Sequence, residues 1–177
     1  MKLDPEQLPL FEWHPLEEEF DRRLRTVSAW IERFWPQHKN DRRYLVEQLL
    51  AMTQIHPLEL MLEKSTVEVV PDGYCEGVPC TRRDMYIPYL GDDILWNLSP
   101  RGVLKLPEGE IFRRTLILVI RCEEDNADRE AELALTRIDE VLQAQACEID
   151  AFHSTLAARV DELLYVAYRD GMHALST

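Results

Sequence analysis

Between residues 125 and 170 apolar or small side chains recur at heptad spacing, at Ala131, Leu135, Ile138, Leu142, Ile149, Phe152, Leu156, Val160, Leu163 and Ala167. The steps are four and three, with a single seven where polar Gln145 occupies the seam. That period belongs to a helix packed along a stripe. Asp125 or Asn126 can cap it, Asp128 and Glu130 place negative charge in its first turn, and Gly171 suits the residue that ends it. About 45 residues at ~1.5 Å each reach about 68 Å, whereas a compact chain of this size is only about 40 Å across. Such a helix bends near 143–148, folds back as two helices, or buries its far end on another chain. Leu135, Ile138, Leu142, Ile149, Phe152 and Leu156 are therefore the expected interface, facing a protein partner or a second copy.

The remainder supplies a sheet and further helices. Residues 1–14 carry Pro5 and Pro9 without a period and read as an extended arm whose Leu8, Leu10, Phe11 and Trp13 dock on something. Pro15 suits a first helical residue, and Leu16, Phe20, Leu24, Val27, Ile31 and Phe34 form one stripe that Pro36 should stop. Trp30 and Trp35 flank that stripe, as core packing or as a partner's hot spot. A second helix has Tyr44, Leu45, Leu49 and Met52 on its apolar side, and a short third is expected at 57–63. After Lys64 the period becomes alternating. Strands are expected at 66–70, ended by the turn Pro71-Asp72-Gly73, at 85–88 as an edge because of Pro88, at 102–106, and at 111–122. The last is apolar on both faces at its centre, so a central, covered strand is expected. The fold class is α+β: N-terminal helices, a small antiparallel sheet of three to four strands, and one long C-terminal helix. One domain over 1–177 is expected, divided into the arm, a helical part at 15–63, the sheet at 64–122 and the helix at 125–170.

Charge narrows the partners. The chain has 33 acidic against 20 basic residues, a net of −13, and 125–170 alone holds eleven acids against four arginines. Phosphate backbones need clustered Lys and Arg, so nucleic acid is not expected as a general partner. The acidic balance reads as a solvated face or as a surface for a basic partner. No apolar run approaches the roughly 20 residues of a membrane span and no leader segment opens the sequence, so neither a membrane nor any location but the cytoplasm is expected. Cys75, Cys80, Cys122 and Cys147 lack redox or zinc-finger spacing, and no disulfide, metal or cofactor is expected from them.

No reaction motif is present: GxSxG, GxxxxGKS and GxGxxG are all missing from the sequence. Asp92 and His153 are the positions around which a small hydrolase could be built. The stretch 82–100 gathers arginines and aromatics, and its Arg82, Arg83, Tyr89 and Trp96 are the candidate binding residues. Tyr89 and Trp96 have an alternative use, filling space between sheet and helices.

Tyr89-Leu90-Gly91-Asp92 followed by Leu95 and Pro100, a strand, an acidic turn, and then Ile138-Asp139-Glu140-Val141-Leu142 and Glu148-Ile149-Asp150-Ala151-Phe152 closing with Leu156, form a pattern. It resembles a non-catalytic module of bacterial defence-type proteins, often placed ahead of TIR-like or nuclease-like effector domains. Pro57-Leu58-Glu59-Leu60 fits the same module, so the resemblance covers about residues 44 to 170. The module often has Asn where His153 follows Phe152 here, and it tends to precede a further domain. The resemblance implies a sensing, scaffolding or accessory role in antiphage defence, with a separate effector supplying the chemistry. Three functions are thus open: a non-enzymatic accessory, sensor or scaffold protein, an acidic chaperone, immunity or inhibitor protein masking a basic partner, and a small hydrolase.

Overall fold

The apolar run at 111–122 turns back on itself at Arg113 and Arg114, both in the left-handed region (φ 47° and 61°). Phe112 pairs directly with Thr115 across those two residues. A two-residue hairpin with both φ values positive matches the right-handed twist of its strands. The single strand expected there is therefore two.

The structure, a computed structural model, describes residues 8–11, 14–38, 42–75, 78–102, 107–123 and 126–174. In chain order its elements are strands β1 (Leu8–Pro9) and β2 (His14–Pro15), helices α1 (Leu16–His38) and α2 (Arg42–Thr53), strands β3 (Glu59–Leu60), β4 (Thr66–Cys75), β5 (Val78–Leu90), β6 (Leu98–Ser99), β7 (Glu108–Phe112) and β8 (Thr115–Glu123), and helix α3 (Ala127–Ala174). Short 3-10 segments lie at Leu62–Lys64 and Asp93–Asn97. The mixed composition, the antiparallel main sheet and the long C-terminal helix match the sequence reading. The strand expected at 102–106 falls, but for Gly102, outside the described residues, as do Trp13 and the side chain of Trp35.

The chain forms two compact units, each assembled from separated stretches. The first contains Met1–Pro15 and His56–Ala146, the second Leu16–Ile55 and Cys147–Thr177.

In the first unit the sheet runs β1-β7-β8-β5-β3, with β4 beside β3 along the same edge of β5. Leu116, Leu118 and Ile120 alternate into the core and share a face with Met85 and Ile87, their pairing neighbours on β5. Ile117 and Val119 point the other way and are half-buried, so β8 is central but covered on one face only. Strand β5 is not an edge either. It pairs with β8 on one side and β4 on the other, and Pro88 lies just past the β4 pairing. There the Pro88 carbonyl accepts from the Met61 amide at 2.8 Å, facing the interval where Leu62–Ser65 leaves the sheet. A residue without an N–H is tolerated at that gap. The expected helix at 57–63 is replaced by β3 and its 3-10 turn, and β4 continues through Pro71-Asp72-Gly73 with an irregularity between Pro71 and Tyr74. A proline-containing bulge shifts register without ending a strand.

The N-terminal arm docks on this same unit. Leu8 and Pro9 pair with β7, and His14 and Pro15 pair in parallel with β6. Between them the Leu10 amide donates to the Pro107 carbonyl (2.8 Å) and the Phe11 amide to the Trp96 carbonyl (2.6 Å). Phe11, fully buried at a positive φ of 65°, sits 5.3 Å from the Trp96 ring.

The second unit packs α1 and α2 with the second half of α3. Val27, Ile31, Leu45, Leu49, Ile55, Ile149, Phe152, Leu156, Val160 and Leu164 are buried, and Phe20 stacks on Phe152 at 4.4 Å and 6°. Tyr44 and Met52, expected on the apolar side of α2, are exposed instead. Helix α1 runs two residues past Pro36, and α3 runs three past Gly171. Near a helix end a proline costs one hydrogen bond at most. Glu19 is buried where burial raises its pKa, but hydrogen bonds from Arg22 and Arg23 more than offset this and hold the carboxyl below its usual range.

Cys80 is disulfide-bonded, whereas Cys122 and Cys147 are free, which corrects the expectation that no disulfide forms. Spacing rules exclude metal and redox motifs but not a bridge, which depends on where the fold brings two thiols within reach. Alkylation in denaturant without reductant should label Cys122 and Cys147 and spare Cys80, which labels only after reduction. Mass mapping of the labelled peptides checks this, and a labelled Cys80 before reduction contradicts it.

Candidate functional site

Strand β4 opens with Thr66-Val67-Glu68-Val69-Val70, and among the described residues its pairing is with β5 alone. Val67 is 51% exposed, Val69 56% and Val70 37%. Val67 and Val69 pair with Met85 and Arg83 and extend the apolar face of the sheet beyond its covered part. An uncovered edge that is rich in β-branched residues and free of lysine is a template for another strand. Natural edges are usually blunted by charge, proline or bulges, and β4 carries its Pro71 irregularity only beyond Val70, leaving Glu68 as the one charge in the first five residues. This edge is the candidate functional site.

The residues expected to bind lie close to it but are engaged internally. Arg82, paired with Val70, makes a bidentate ion pair with Asp84 (2.6 and 2.8 Å). Arg83, on the opposite face, pairs with Asp128 at the start of α3. Tyr89 and Trp96 are each 2% exposed, in edge-to-face contact at 5.2 Å. They fill the core of the first unit in place of presenting a binding surface. Burial first, then the Asp93 carboxylate, push the Tyr89 hydroxyl up to about 12, so it stays protonated and donates to Asp93 at 3.3 Å.

The expected interface on α3 is likewise occupied within the chain. Ile138 and Leu142 are buried in the first unit, Ile149, Phe152 and Leu156 in the second, and only Leu135 remains half-buried. A seam already filled by its own chain is not available to a second copy. The two positions offered for hydrolysis are also structural partners. His56 and Asp92 exchange hydrogen bonds, the Asp92 amide to the His56 carbonyl at 2.9 Å and the His56 amide to Asp92 Oδ2 at 3.3 Å. His153 Nε2 accepts from the Ile55 amide at 3.2 Å, which places the proton of a neutral ring on Nδ1.

No family model, curated protein or solved structure matches the chain. Among the described residues no group of three His, Cys, Asp or Glu could hold a metal ion, and no helix is long and apolar enough to cross a membrane. Sequence reasoning found β4 as a strand and missed its exposure. The available signal was Glu68 flanked by valines, a half-polar alternation that a fully buried strand would not carry.

Proposed function

We propose that this protein is a non-enzymatic accessory, sensor or scaffold protein that works by protein contacts, with the β4 edge as its docking strand. The observation that carries the reading is the exposed Val67, Val69 and Val70 on a strand that, among the described residues, pairs along one side only. The occupant is an extended segment of a different chain, added antiparallel or parallel to β4. Main-chain hydrogen bonds would give affinity, and apolar residues lying beside Val67 and Val69 would give specificity. A second copy fits poorly. A symmetric pair centred on Glu68 opposes two carboxylates, and each chain carries −13. Placement in a bacterial defence system beside a separate effector rests on the resemblance of residues 44 to 170 alone.

The test is the double variant Val67→Lys/Val69→Lys, which alters exposed side chains and should leave the melting profile within about 0.5 kcal/mol of the parent. Crosslinking in source cells, with the sites mapped by mass spectrometry, should place a partner peptide on β4 in the parent and lose it in the variant. Crosslinks that map elsewhere and persist in the variant would sink the proposal.

A further inference from the structure

A second surface on the first unit is built differently. A groove of about 470 Å³ lies between the 58–62 segment and α3. Its apolar walls are Leu58, Leu60 and Leu62 on one side and Leu135, Leu142 and Ala146 on the other. Leu62 is 51% exposed, and Leu60, Leu135 and Ala146 are half-buried, so folding leaves much of this lining uncovered. Leu135 is the one member of the expected α3 interface that the chain does not bury.

Charge says what kind of segment fits. Glu59 lies on one wall and Asp139 on the other, and both are exposed. The remaining polar lining, Thr136 and Gln143, is neutral, and the Gln143 amide donates to Asp139 at 2.6 Å without neutralising it. Glu63 and Glu132 add exposed negative charge nearby on the same two elements. Of the basic groups on these elements in the first unit, Lys64 turns its ammonium to the Met61 sulfur at 3.2 Å, Arg137 lines a separate groove on α3, and Arg129 is not among the residues lining this one. An apolar channel with a carboxylate on each wall is complementary to an amphipathic segment whose apolar stripe is flanked by Lys or Arg.

We infer that this groove takes a basic amphipathic helix from a partner protein, with leucine-like anchors against Leu62, Leu135 and Leu142 and ammonium or guanidinium groups beside Glu59 and Asp139. The occupant is not a second copy: α1 opens with Glu17, Glu18 and Glu19 and α3 with Asp128 and Glu130, and although α2 opens with Arg42 and Arg43, its apolar Leu45 and Leu49 are already buried in their own unit. The inference does not depend on the β4 edge, which lies on another element and recruits by backbone pairing.

The probe is a synthetic leucine–lysine peptide with leucine at helical i, i+3, i+4 and i+7 positions, titrated by fluorescence anisotropy against the full chain. A scrambled peptide of the same composition controls for charge alone. The patterned peptide should bind about tenfold or more tightly than the scrambled one, and Leu62→Lys should abolish that difference. Leu62 is half exposed, so this variant keeps its fold, and circular dichroism verifies it. Glu59→Gln/Asp139→Asn should flatten the dependence of binding on salt while preserving the preference for the patterned peptide. Val67→Lys/Val69→Lys should change neither, which separates this site from the strand edge. Equal binding of the two peptides, or binding that Leu62→Lys leaves intact, overturns the inference. So does a mass that doubles with concentration and returns to monomer in Leu62→Lys, which would assign the groove to a second copy.

Discussion

Phe152→Asp should unfold the unit made by Leu16–Ile55 and Cys147–Thr177. Phe152 is 4% exposed, lies parallel to Phe20 at 4.4 Å, and belongs to the buried row Ile149, Leu156, Val160 and Leu164. Removing a buried Phe side chain alone costs about 3–5 kcal/mol. A carboxylate in its place must also be desolvated or protonated, which adds several kcal/mol more. Whole domains are stable by only about 5–15 kcal/mol, so little is left. Far-ultraviolet circular dichroism during urea titration should show a large loss of helix before the parent's transition. Tyr165→Asp, on the same helix but 64% exposed, should stay within about 0.5 kcal/mol of the parent. Light scattering on the same samples supplies the decisive contrast. If Phe152→Asp split an oligomer while helix content and midpoint held, the row would be an interface between chains and not a core.

That contrast marks the limit of what a period can tell. The heptad pattern in 125–170 correctly picked the covered face of α3: Ile138, Leu142, Ile149, Phe152, Leu156 and Val160 are all buried. Periodicity identifies a face that water does not reach, and is silent about which chain covers it. Toward the C-terminal end the buried residue is Leu164 and not Leu163. A strict seven-residue repeat drifts by about 20° per heptad on a straight helix, enough to hand the row to the next residue. Gln145 read as a weak point in the seam because it is polar. It is 1% exposed, and its Nε2 donates to the carbonyls of Leu95 (2.8 Å) and Leu98 (2.6 Å). Those acceptors lie some fifty residues upstream, so no local pattern could reveal them, yet a buried amide must have such partners.

Turns were less legible than helices for a related reason. Hairpin signals rest on Asn-Gly or Asp-Gly, residues that tolerate positive φ cheaply. Arg113-Arg114 adopts the same geometry because tertiary contacts hold it there. Arg114 donates to the Gly91 carbonyl at 2.6 Å and to Asp93 at 3.3 Å, its own carbonyl accepts from the Tyr89 amide at 3.2 Å, and Arg113 lies over the Phe112 ring at 5.1 Å. The exposed valines of β4 were opaque in the opposite sense. Valine runs resemble core strands, and only the pairing among the described residues leaves this one at an edge.

Gly91→Ala should be the most damaging single-methyl change in the first unit. Gly91 has a φ of 103°, a conformation that costs a side-chain-bearing residue about 1–3 kcal/mol. A methyl there would also collide with the Pro57 carbonyl oxygen, come within 2.7 Å of the carbonyl carbon and within 2.9 Å of the His56 oxygen. These are backbone atoms, which cannot rotate aside, and overpacking adds roughly 1–3 kcal/mol. The collision falls where the chain is tied from two directions, by the His56–Asp92 hydrogen bonds and by Arg114 on the Gly91 carbonyl. Gly102→Ala is the matched control: its φ is 78°, but among the described residues nothing lies within 4 Å of an added methyl. The two variants share the cost of a left-handed backbone and differ in the collision. A thermal scan should therefore lower the midpoint of Gly91→Ala by about 2–4 °C for each kcal/mol of that difference beyond Gly102→Ala. Equal midpoints for the two variants would mean that 56–57 moves freely away from Gly91, and that the close approach of these segments is not what fixes the end of β5.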